Sequence, residues 1–162
     1  MEVIKNIIVT MLVIFATSKS LRANEISSIS EITIVSSNSY PVAASNFNKN
    51  RLSQLGIRLT AFNLDAVSEL VNQINKHLPK DEQQASAYIQ SYINEIGQEQ
   101  FNQRFVDAYQ GHIYAIKHGI KHTPAFVFNN KCVVYGVDTL DEAIAKYQLS
   151  IKGKQGNLDA AE

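Results

Sequence analysis

A proline stands immediately before a short apolar run in this chain, and no other feature narrows the fold as much. Ile120-Lys121-His122-Thr123-Pro124 leads into Ala125-Phe126-Val127-Phe128, then Asn129-Asn130-Lys131, then Cys132-Val133-Val134-Tyr135-Gly136. Two apolar runs around Asn-Asn-Lys predict a β-hairpin, because asparagine tolerates the positive φ such turns need. All three prolines of the chain fall at breaks, and Pro124 opens a strand expected to be buried.

The segments before the hairpin supply its partners. Glu31-Ile32-Thr33-Ile34-Val35 is β-branched and reads as a strand, broken by the polar loop Ser36-Ser37-Asn38-Ser39-Tyr40-Pro41. Phe47, Leu52 and Leu55 predict a modest helix that stops at Gly56, and Ile57 to Phe62 a second strand. Asp65 and Asp81 are placed to cap two helices, whose apolar faces are Val67, Leu70, Val71, Ile74, Leu78 and Tyr88, Ile89, Tyr92, Ile93, Ile96. After Gly97, the residues Phe101, Phe105, Ala108, Tyr109, Ile113 and Ile116 continue the period to Gly119. Thr139 and Glu142 match a capping box that starts a last helix along Leu140, Ala143, Ile144 and Tyr147. This order of elements is that of a thioredoxin-like α/β domain: a βαβ unit joined to a ββα unit, with a central mixed four-stranded sheet. The extra helices form an insertion in that arrangement.

Export is expected from the N-terminus. Lys5 precedes the apolar run Ile7 to Ala16, and a polar exit leads to Ala23, the pattern of a cleaved secretory signal over residues 1–23. The alternative is a membrane anchor, but the run is about 10 residues where a spanning helix needs roughly 20. The domain then covers residues 24–151, followed by a polar, flexible tail over 152–162. Cleavage removes Lys5, Lys19, Arg22 and Glu2, leaving about two net negative charges and no basic stripe, which argues against direct nucleic-acid binding. Nor is a membrane partner expected once the signal is gone. A single cysteine, Cys132, cannot form an intramolecular bridge, so packing alone must hold the domain.

Ala108-Tyr109-Gln110-Gly111, Gly119-Ile120, Thr123-Pro124-Ala125-Phe126-Val127 and Val133-Val134-Tyr135-Gly136, taken in order with the final helix and the early loop ending in Pro41-Val42, carry a family likeness. Over residues 30–148 the chain resembles a family of integrating conjugative element proteins of unknown function. That family is similar to the thioredoxin fold and to periplasmic pilus-assembly factors. The resemblance implies an accessory of a type IV secretion-like DNA transfer apparatus in a Gram-negative envelope, whose partners are the protein components of that apparatus.

In thioredoxin-like proteins the proline before the third strand is cis and faces the loop after the first strand. That places Thr123 and Pro124 opposite Ser37, Asn38, Ser39, Tyr40 and Pro41, a candidate partner-binding groove with Tyr40 as an aromatic wall. Thiol chemistry needs a thiolate at this loop, and serine hydroxyls are neither acidic nor reducible. The expected function is therefore binding, not catalysis, with no cofactor. A rival reading is a thiol–disulfide oxidoreductase or isomerase using Cys132, otherwise taken as a small buried hydrophobe or as the site of an intermolecular disulfide. His112, His118 and His122 raise a metal-carrier reading. Gly119 interrupts the helix between His118 and His122, however, and replaces the glutamate a zinc-protease helix would carry.

Overall fold

A computed structural model describes residues 28–159 of the chain, with side chains to Gly153. The expected export signal, residues 1–23, lies outside the described residues. The elements run β1 (Glu31–Ser36), α1 (Lys49–Gln54), β2 (Arg58–Asn63), α2 (Ala66–Asn75), α3 (Glu82–Ile96), α4 (Gln98–Lys117), β3 (Ala125–Phe128), β4 (Cys132–Tyr135) and α5 (Leu140–Asp159). They form an α/β domain around one four-stranded mixed sheet of order β2-β1-β3-β4. β1 pairs parallel with β2 and antiparallel with β3, and β3 pairs antiparallel with β4.

Side-chain alternation sorts the two faces of the sheet. Ile32, Ile34, Phe126, Phe128 and Val134 form one face, closed by Leu52 of α1 and by Leu140, Ala143, Ile144 and Tyr147 of α5. Tyr147 stacks flat on Phe128, with ring centroids 4.3 Å apart. Val35 and Ala125 mark the other face, where Phe62, Val133 and Tyr135 meet Tyr114 and Ala115 of α4. Gly111 lets α4 lie close to β2: a Cβ there would come within 3.1 Å of Phe62 Cβ.

Local signals place most element ends. Asp81 caps α3 by accepting from the Gln84 amide at 2.9 Å, and Thr139 accepts from the Glu142 amide at 3.2 Å. Gly97, at φ 87°, ends α3. The first helix is shorter than expected: Phe47 lies before it, Asn48 caps it through the Arg51 amide, and Leu55 is half exposed. The last helix continues to Asp159, past the boundary at residue 151 that composition implied. Along α4 the apolar period divides. Phe101, Phe105 and Ala108 are partly buried, whereas Ile113 and Ile116 are exposed, Ile116 to 81 %. No helix among the described residues is long and apolar enough to cross a membrane.

Asn129 and Asn130 turn the hairpin at φ 52° and 55°, and Asn129 also latches it to β1. Its Oδ1 accepts from the Ser30 and Glu31 amides at 2.8 and 3.3 Å, and its Nδ2 donates to the Ser28 carbonyl at 2.9 Å. Asn129→Ala is expected to cost about 3 kcal/mol in urea unfolding, two-thirds of it from these bonds. Asn129→Gly, which removes the left-handed backbone penalty, is expected to recover about 1 kcal/mol. Equal losses in the two variants would assign the whole effect to the hydrogen bonds.

Candidate functional site

Strand direction gathers three loops at one end of the sheet. Because β1 and β2 are parallel, their exits coincide, and because β3 runs antiparallel to β1, its entrance lies there too. Val35 pairs with Phe62 on one side and with Ala125 on the other. The loop after β1 therefore meets the segment before β3, and the Thr123–Pro124 peptide is cis.

The meeting point is a pair of hydroxyls. Ser37 Oγ and Thr123 Oγ1 lie 3.2 Å apart, both partly buried. Ser37 and Tyr40 close a turn, the Tyr40 amide donating to the Ser37 carbonyl at 3.1 Å. Asn38 is held by the exit of β2 and the start of α2. Its backbone N–H donates to Asp65 Oδ2 at 2.7 Å and its Nδ2 to Glu69 Oε1 at 2.7 Å, while its Oδ1 accepts from Asn63 Nδ2 at 2.8 Å. Asp65 occupies the capping position of α2 as expected, and its carbonyl accepts from the Glu69 amide at 2.9 Å, but its side chain accepts no bond from its own helix. Its carboxylate holds the site loop instead.

The expected groove residues thus divide. Ser37 meets Thr123 beside Pro124, whereas Asn38 is turned to Asn63, Asp65 and Glu69 and is exposed together with Ser39, Tyr40 and Pro41. Tyr40 is 61 % exposed and contacts no other ring among the described residues. Asn63, Asp65 and Glu69 belong to the site and escaped the sequence reading. Only the parallel pairing of β1 with β2 sets them beside the loop, and the strand-ending Asn63-Leu64-Asp65 reads by itself as an ordinary helix start.

Chemically, the centre is two alcohols. No imidazole or carboxylate lies within hydrogen-bonding distance of Ser37 Oγ among the described residues, and an unactivated hydroxyl is a weak nucleophile. Cys132 pairs with Phe128 at the far end of the hairpin, three positions from the Ala125–Tyr135 pair and about 10 Å along the strand from it. It packs partly buried against the face that carries Phe126 and Phe128. His118 lies on Tyr114 at 4.2 Å and His122 meets Tyr135 edge-on at 6.3 Å. Among the described residues no group of three His, Cys, Asp or Glu side chains is placed to hold a metal ion.

The segment that follows the loop is pinned at its other end by Asp141. Ala43 donates to the Asp138 carbonyl at 2.8 Å, the Asn46 amide donates to Asp141 Oδ2 at 2.8 Å, and Ser45 Oγ donates to the same oxygen. Burial pushes the Asp141 carboxyl up, but the bonds from Ser45 and Asn46 outweigh it and hold it below the ordinary carboxylate value. A carboxyl with a lowered folded-state pKa contributes stability that is full above its unfolded value and lost as pH falls through the folded one. Asp141→Asn is therefore expected to cost about 1 kcal/mol near neutral pH, with the gap to the native chain closing below about pH 4. Urea unfolding of both proteins at pH 7 and pH 3 checks this, and a gap independent of pH would contradict it.

The profile of a family described as a protein of unknown function (DUF1525) matches residues 30–150. No curated protein matches the chain. No solved structure matches it either.

Proposed function

The chain belongs to the DUF1525 family, and from that membership and the site geometry we propose that it is a redox-inactive, thioredoxin-like periplasmic protein that works by binding other proteins. The sheet order β2-β1-β3-β4, with a βαβ unit before the helical segment and a ββα unit after it, supports the thioredoxin-like assignment. One observation carries the functional reading: Ser37 stands 3.2 Å from Thr123, beside a cis proline, where a thioredoxin-like oxidoreductase holds its reactive sulfur. Oxygen there cannot form a mixed disulfide, so the place keeps its shape and lacks its chemistry.

The partner class follows from the resemblance to proteins of integrating conjugative elements. On this reading the domain assists conjugative DNA transfer through contacts with protein components of a type IV secretion-like apparatus, after export directed by residues 1–23. Ser37, Asn38, Ser39, Tyr40, Pro41, Thr123 and Pro124 form the contact surface, with the exposed Tyr40 as its largest apolar element.

A photo-crosslinking residue placed at position 40 is expected to trap a component of the transfer apparatus in the periplasm of donor cells. Tyr40→Ala and Thr123→Ala are expected to lower transfer at least about tenfold, the equivalent of 1.4 kcal/mol of binding. Unchanged transfer in both variants would refute the contact surface. Insulin reduction that depends on Cys132 would instead establish the oxidoreductase alternative.

A further inference from the structure

Helix α3 has no fully buried residue, and its apolar side chains Tyr88, Ile89, Tyr92, Ile93 and Ile96 are only partly covered. Where it meets α2 and α4 it leaves a cleft of about 140 Å³, lined by Gln73, Ile74, His77, Tyr88, Tyr92 and Arg104. That is close to the roughly 150 Å³ of an engineered cavity that accepts benzene, so one six-membered ring fits.

The cleft carries a cation and no anion. Arg104 donates from Nη1 to the Tyr92 hydroxyl and from Nη2 to Gln73 Oε1 at 3.4 Å. Two neutral acceptors thus orient the guanidinium without neutralising it. Arg104 forms no ion pair among the described residues. The lining contains a guanidinium, an imidazole, two phenols and an amide, and no carboxylate. Of the five N–H donors of an arginine, two are engaged here and three are left for a ligand. The walls are flat and apolar: the rings of Tyr88 and Tyr92 are parallel within 1°, and Phe101 supports Tyr92 edge-on at 6.3 Å.

We propose that this cleft binds a small monocyclic carboxylate of the size of benzoate. The carboxylate meets the free N–H groups of Arg104 in the paired geometry that guanidinium favours, with His77 beside it. The ring lies against Ile74 and the two tyrosines. A phosphate is a poorer match, because its charge and hydration suit neither the single guanidinium nor the apolar walls. The cleft is built from residues other than those of the Ser37–Thr123 contact, so the two readings stand or fall separately.

Sodium benzoate titrated into the full chain tests the proposal, followed by NMR of the His77 ring. Saturable one-to-one shifts with a Kd of about 1 mM or tighter are expected. Benzamide, of the same shape without the charge, and the variant Arg104→Gln are each expected to weaken binding at least about tenfold. Lys117→Gln, which removes a cation of α4 outside the cleft lining, is expected to leave the Kd unchanged. Shifts that fail to saturate, equal binding of benzamide and benzoate, or an equal effect of Lys117→Gln and Arg104→Gln would each overturn the site. If Arg104→Gln does not fold, the benzoate–benzamide comparison on the unaltered chain decides.

Discussion

The domain depends on β1 pairing with a strand on each side, parallel to β2 and antiparallel to β3. Its two faces are buried by helices from different parts of the chain, so it is the strand through which the early and late halves of the sequence meet. Ile32 and Val35 are wholly shielded from solvent, on opposite faces. Burial on both faces also fixes the register, since a slip by one residue would exchange the two sets of side chains. From that register follows the coincidence of the β1 exit, the β2 exit and the β3 entrance at a single edge.

What stands at that end of the sheet is a pair of hydroxyls with no base among the described residues beside them. The two hydroxyls lie 3.2 Å apart beside the cis proline, the loop that carries Ser37 is tied through Asn38 to Asp65 and Glu69, and the strap behind it is tied to Asp141. The acids are used as acceptors for backbone and amide N–H groups, which holds the loop's shape without giving Ser37 a base. Asp65 shows the exchange most directly. A residue placed to cap a helix serves the neighbouring loop, and α2 begins without a side-chain cap.

The sequence made the elements legible where local rules decide them. The hairpin turn at Asn129-Asn130, the caps at Asp81 and Thr139, the β-branched run of β1 and the apolar run of β3 all follow from residue chemistry within a few positions. The approach of Ser37 to Thr123 was legible only through the order of elements, because 86 residues separate them. Asn63 and Glu69 were not legible at all, since their role comes from a parallel pairing that leaves no local mark. The exposure of Tyr40 was not legible either, because an aromatic in a polar loop gives no sign of whether another surface lies near it. The periodic run in α4 likewise reads as one face, although Ile113 and Ile116 lie on a side that no described element covers.

The hairpin is gripped at its tip. Asn129 bonds to Ser28, Ser30 and Glu31, and Asn130 bridges Tyr114 to the Glu31 carboxylate. A short, stiff ribbon clamped this way cannot slide along its neighbour without breaking the clamp. The gap between the two hydroxyls is thus gauged from the opposite pole of the molecule, by amide side chains that never approach them.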